Sequence, residues 1–306
     1  MNALLSGFLP VFSLIALGWC LKTARFLPED GWRPIERLTY FVFYPAFLIP
    51  GIWSADFTGG GAGVVALATL AGAMLMALMT YLAKPLMRIS DAAYTSVFQG
   101  VIRWNGFVFL PVAASIFGQE SVGLAAVALG ALIPSINVVC VLALARWGAG
   151  QGGGWRMVGR SLWVNPIIWS CVTGTALNLT GLAPPAFLAA PFAMLGGAAI
   201  VLGLMVAGAG LSFRDVAGRP FTVAAVTAVK LLVLPLMMAG IAMLLGADRT
   251  ALGITLLAGS APGAAASYVL ARQMGGDAPL MAAVVAFTTV GALLTMPLML
   301  FLFGFL

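Results

Sequence analysis

The chain of 306 residues is 62% hydrophobic and 8% charged, with 15 basic against 9 acidic side chains and a net charge of +6. An ordinary soluble domain is roughly 45–50% apolar and about 25% charged, so this composition excludes a soluble globular fold and describes a chain solvated by lipid. Histidine is absent, and Cys20, Cys140 and Cys171 stand apart in apolar runs, which excludes a zinc site or a disulfide framework; the basic residues, scattered in twos and threes, form no nucleic-acid face.

Ten hydrophobic segments of about 20 residues, the length that crosses a bilayer core, follow one another at 2–21, 36–53, 61–82, 91–117, 121–144, 161–180, 186–211, 220–245, 249–272 and 278–305. They predict an all-α polytopic membrane protein of ten transmembrane helices. The first has neither a basic leader nor an A-x-A cleavage pattern, so it reads as a retained span rather than a signal peptide. The fourth holds RWNGFVFLP, Arg103 to Pro111, which sets a guanidinium, an amide, a glycine and a proline inside an apolar run. Between the fifth and sixth lies GAGQGGGWRMVG, Gly148 to Gly159, a glycine-rich basic hinge. Gly203, Gly208 and Gly210 in the seventh are helix-packing positions, with a homodimer contact as the alternative use of that face. The eighth contains Lys230, and the ninth is interrupted by GSAPGAAAS from Gly259 to Ser267.

Lys22, Arg25, Arg33, Arg37, Lys84, Arg88, Arg146, Arg156, Arg160, Arg214, Arg219 and Arg272 all fall in odd-numbered connections, whereas the even ones and the termini hold only Arg249. By the positive-inside rule the odd connections are cytoplasmic and both termini lie outside. Residues 1–147 and 161–306 then form two five-helix halves of opposite sense, joined by a linker at 148–160. A shift of 157 residues lays Pro28 on Pro185, Asp91 on Asp248, Gly118 on Gly275 and Glu120 on Asp277. The four acids read as helix caps or first-turn acids.

An inverted repeat of this kind is the architecture of many secondary transporters, in which discontinuous helices at matching positions form the site. Here those positions are helices 4 and 9, both broken; if the breaks cross near the bilayer centre, they present half-helix ends to a common site. Backbone groups freed by Gly and Pro cannot face lipid, so they line a cavity or are buried in protein. Arg103 lies ~18 Å from Asp91 at about 1.5 Å per residue, near the middle of the bilayer, and Lys230 lies at similar depth. No carboxylate shares that depth, so the two cations call for an anion or for backbone carbonyls. The candidate substrate-binding residues are Arg103, Asn105, Gly106, Pro111, Ser260, Pro262, Gly263, Ser267 and Lys230. For Arg103 and Lys230 the structural alternative is capping of a broken-helix C-terminus or snorkelling to one interface.

In these residues the chain resembles the auxin efflux carrier family, which includes plant PIN-type carriers and bacterial permeases for organic acids. The resemblance is carried by Arg-x-Asn-Gly-x-x-x-x-Pro at Arg103 to Pro111 with Phe117-Gly118, and by Asn165-Pro166. It continues with Lys230 and Pro235, and with Ser260-Ala-Pro262 followed by Gly275-x-Asp277. It implies five-plus-five inverted repeats, a transport domain moving on a scaffold, and a substrate site lined by Asn105, Pro111 and Pro262. The long cytoplasmic loop of many plant members is missing, so the expected cargo is a small carboxylate or another small organic anion rather than auxin.

The expected function is therefore a carrier of the bacterial plasma membrane, with the lipid bilayer and a small organic anion as partners and no cofactor or metal. A passive anion channel and a sodium-coupled organic-anion symporter are the alternatives. An enzyme is disfavoured because no catalytic pair stands at depth, and no P-loop is present for ATP hydrolysis.

Overall fold

The computed structural model describes residues 2–28, 30–55, 61–148, 156, 159–160, 163–213 and 218–306, with side chains from residue 8 onward. Most of the predicted linker at 148–160, and Arg214, lie outside the described residues. Among the described residues the protein is helical throughout, with no strand. In chain order the helices are α1 (Asn2–Thr23), α2 (Trp32–Leu38), α3 (Tyr44–Trp53), α4 (Gly61–Ala83), α5 (Asp91–Ile102), α6 (Gly106–Phe117) and α7 (Val122–Trp147). They continue as α8 (Pro166–Leu179), α9 (Ala186–Ala209), α10 (Pro220–Ala228), α11 (Leu234–Leu244), α12 (Arg249–Ser260), α13 (Ala266–Met274) and α14 (Ala278–Leu302).

Six stretches among the described residues are long and apolar enough to cross a membrane: Gly61–Leu86, Asp91–Phe117, Gln119–Trp147, Ala186–Ala209, Pro220–Leu244 and Ala278–Leu302. The other predicted spans are helical but shorter or less uniform. The helical run from Trp32 to Trp53 opens on Arg33, Glu36 and Arg37, and the helix pair between Arg249 and Met274 is split by its Pro-Gly break.

Two π-helical turns follow from proline. Thr39–Phe43 ends two residues before Pro45, and Val229–Val233 ends two residues before Pro235. A proline has no amide for the carbonyl four residues back, and its ring crowds that carbonyl. The helix widens instead, so the Tyr44 amide bonds to the Thr39 carbonyl and the Leu234 amide to the Val229 carbonyl.

Helix ends follow local chemistry. Ser90 caps α5 by accepting from the Ala93 amide at 3.3 Å, with Asp91 in the first turn and bonded to Lys84 at 2.7 Å. Asp248 caps α12 through the Ala251 amide at 2.7 Å, and Asp277 caps α14 through the Leu280 amide at 3.0 Å. Each of the predicted acids thus sits at a helix start. Gly118 and Gly275 end α6 and α13 with φ of 84° and 73°, a left-handed conformation that a side chain would strain.

Small residues set the closest helix contacts. Gly208 of α9 lies against the Ile15 carbonyl of α1, and Gly18 of α1 against the Met205 backbone, so neither site has room for a Cβ. Gly203 packs on the ring of Tyr44. The Gly203 and Gly208 face of α9 is therefore covered from within the chain. Asn178 of α8 ties down the C-terminal end of α3, donating to the carbonyls of Ile52, Trp53 and Ala55 at 3.2, 2.8 and 2.8 Å.

The centre of the bundle is the α5–α6 pair. Its segment, Asp91–Phe117, is the least apolar of the six, with a mean hydropathy of 1.4, and the most enclosed, with 67% of it buried against 33–50% for the others. A polar, interrupted helix is tolerated at membrane depth only when protein surrounds it, and that requirement fixes α5–α6 in the interior.

Candidate functional site

Two interrupted helices meet at the core. After Ile102 the chain leaves the α conformation for three residues, with Arg103 and Asn105 extended, and re-enters a helix at Gly106. The second interruption runs from Ala261 to Ala265, between α12 and α13. The Asn105 amide donates to the Pro262 carbonyl at 2.8 Å, joining the breaks by their backbones. Asn105 and Pro262 are themselves 157 positions apart, the offset that relates the two halves in the sequence.

Each break finds donors and acceptors within the protein. Asn105, only 4% exposed, turns its Oδ1 onto the Phe107 amide at 2.9 Å and so caps α6. The Gly263 amide donates to Thr288 Oγ1 at 3.0 Å, and Thr288 in turn donates to the Val284 carbonyl at 2.7 Å. The carbonyl of Gly259, in the last turn of α12, accepts from Lys230 Nζ at 3.4 Å. Lys230 is fully buried in the π turn of the preceding helix, with no carboxylate in ion-pair contact among the described residues. Its Nζ therefore donates to a carbonyl at the C-terminal end of α12, the capping role that the sequence left open.

A cavity of about 510 Å3 ends on the first break. Its floor includes Arg103, Trp104, Asn105 and Gly106, Ala264 and Ala265 of the second break and Ala266 of α13 also line it, and apolar sides come from Phe107, Leu129, Ile133, Ile136 and Ile167. Arg33, Glu36, Arg37 and Tyr40 of the second helical run also line it, and Asn137, Asn165 and Gln273 add neutral amides. Arg103 is half-buried; its Nη1 is shielded from solvent and has no hydrogen-bond partner among the described residues. Its guanidinium reaches the Cys140 thiol, and Tyr40 lies in the field of its positive charge. A buried donor without an acceptor is costly, and the residue that carries it also lines the cavity.

Of the sequence candidates, Arg103, Asn105 and Gly106 come together on the cavity wall, and Pro262 meets Asn105 through the backbone. Pro111 is buried within α6, and Gly263 is bonded to Thr288. Ser260 turns its hydroxyl onto the Leu256 carbonyl at 2.8 Å, Ser267 is fully buried, and Lys230 is committed to Gly259; none of these lines the cavity. Sequence reasoning counted Arg33 and Arg37 only as topology signals, and did not single out Glu36, Tyr40 or Asn137. The available signals were the helical spacing of 33, 36, 37 and 40, and a lone amide at 137 in an apolar helix.

A polytopic helical protein with paired helix interruptions over a polar-floored cavity is built as a membrane transporter, and comparison with known proteins agrees. Residues 155–300 match a family described as membrane transport protein. The chain is also 26% identical, over 292 residues and 95% of both chains, to a protein of Methanothermobacter thermautotrophicus described as an uncharacterized transporter. The chain is thus a multi-pass membrane protein whose second half is similar to a family of membrane transport proteins and whose whole length is similar to a transporter.

Proposed function

We propose that this permease is a carrier that moves a small organic anion, a carboxylate, across the plasma membrane by alternating access. The observation that carries the reading is the Arg103 guanidinium: a half-buried cation that makes no ion pair among the described residues, on the lining of a cavity, beside the positive end of a broken helix. Arg103 and the side-chain amide of Asn105 hold the carboxylate with the Gly106 amide at the start of α6, where the helix dipole favours negative charge. The apolar side walls accept the body of the anion.

The rest of the architecture follows the same reading. Ten spans form two inverted five-helix halves, 1–147 and 161–306, with both termini outside and helices 4 and 9 crossing at their breaks. Support comes from the Asn105–Pro262 bond between equivalent positions and from the paired left-handed glycines Gly118 and Gly275. The rim of the cavity carries Arg33 and Arg37, which the charge rule assigns to the cytoplasm, so the state described is open inward. Transport then requires the α5–α6 and α12–α13 pair to move against the helices that pack around it.

Thermal-shift screening of purified protein against small carboxylates tests this reading. We expect succinate or benzoate to stabilise the wild type, and the effect to vanish in Arg103→Gln and shrink in Asn105→Ala. Stabilisation by cations or neutral solutes alone, or by an anion indifferent to both changes, overturns it. A passive channel would bind the same anions but would show no counterflow.

A further inference from the structure

The mouth of the cavity holds charge that its floor does not use. Arg33, Glu36, Arg37 and Tyr40 lie at i, i+3, i+4 and i+7, the spacing that stacks side chains on one helix face, and all four line the cavity. Arg33 is about 10 Å along the helix from Tyr40 at the usual rise. Tyr40 in turn lies in the electrostatic field of both Glu36 and Arg103, and Glu36 in that of Arg33. The face is a ladder of charge from the rim to the guanidinium at the floor.

Among the described residues neither rim arginine makes an ion pair. The ion pairs formed among the described residues are Lys84–Asp91 and Arg219–Asp277, both away from the cavity. Among the described residues Glu36 is the one acid that lines it, beside three arginines. Anchoring to lipid headgroups would need Arg33 and Arg37 to face outward, yet both border the recess that leads to Arg103.

We propose that Arg33 and Arg37 form an outer anion subsite, which takes the carboxylate of the incoming organic anion before Arg103 and Asn105 do. This rests on the anion-carrier reading and goes beyond it by assigning a second binding station to the same pathway. Glu36 sets the strength of that station. It is the chain's own carboxylate, an internal competitor, so the outer site binds weakly and releases its occupant inward. Two guanidiniums over a low-dielectric recess raise the local anion concentration, an effect that salt screens within about a Debye length.

The test uses the full chain reconstituted in phosphatidylcholine vesicles, with initial uptake of radiolabelled succinate and benzoate measured from low to high salt. Thermal stabilisation by the same acids reports the inner site. Arg33→Gln/Arg37→Gln should raise KM about three- to tenfold at low salt, should flatten the salt dependence, and should keep stabilisation by saturating acid. Glu36→Gln should lower KM at low salt. Arg33→Lys/Arg37→Lys should retain most of the salt dependence, which separates charge from folding; if the glutamine pair does not fold, Arg37→Gln alone is set against the lysine pair. Wild-type KM and salt slope in the glutamine variants, with Arg103→Gln inactive, overturn the subsite and leave the carrier reading standing. Failure of either acid to stabilise or enter with the wild type, while cationic or neutral solutes do, overturns both.

Discussion

Arg103 and Asn105 do different work although they are neighbours in one break. Arg103→Gln removes the charge and leaves the helix ends as they are, so anion stabilisation should vanish with little loss of stability in the empty protein. Asn105→Ala removes the cap of α6, at a cost of about 1 kcal/mol, but keeps the backbone bond to Pro262. It should therefore lower the melting temperature and weaken the anion effect together, which paired thermal-shift curves would resolve. Asn178→Ala is the contrasting case. It strips the donor from three carbonyls at the end of α3, and about 1–3 kcal/mol of stability should go while the anion response stays as in the wild type. At this scale much was legible in the sequence. The caps at Asp248 and Asp277 and the break at Arg103 to Asn105 rest on chemistry within a few residues. The partner of Lys230 did not: Gly259 lies 29 residues on, and choosing between a carbonyl and a substrate anion needs the packed structure.

Helices carry the second level of the account, and their closest contacts lie where side chains are missing. Gly208→Leu would drive a side chain into the Ile15 carbonyl of α1, so overpacking of about 1–3 kcal/mol is expected. In detergent that variant should melt earlier, with its anion response intact because α1 does not border the cavity. Pro45 and Pro235 gave local notice of the two π turns, since a proline in an apolar helix must leave a carbonyl unbonded. The ladder from Arg33 to Tyr40 was hidden for a different reason. Its spacing shows a helix face, but nothing in the spacing says that this face looks across a cavity toward α5. Charges at the start of a hydrophobic span usually anchor it at the interface, and only the tertiary arrangement turns these inward.

At the scale of the whole molecule, the hydropathy pattern announced a helical membrane protein, and the family match and the bundle bear that out. The cavity was not legible, because it is assembled from α2, the π turn after it, the first break with α6, α7, α8, and the second break with α13, which lie far apart along the chain. If it opens to the cytoplasm, a single cysteine in place of Ile133, with Cys20, Cys140 and Cys171 replaced, should react with an impermeant maleimide in inside-out vesicles. The same site should be protected in right-side-out ones, and a bound carboxylate should slow the reaction. The most direct test of the carrier itself is counterflow. Proteoliposomes preloaded with unlabelled succinate or benzoate are diluted into the labelled acid, and transient accumulation is followed for the wild type and for Arg103→Gln. The account predicts a saturable overshoot in the wild type that Arg103→Gln abolishes. Entry without overshoot, or an overshoot that survives the loss of Arg103, would contradict it.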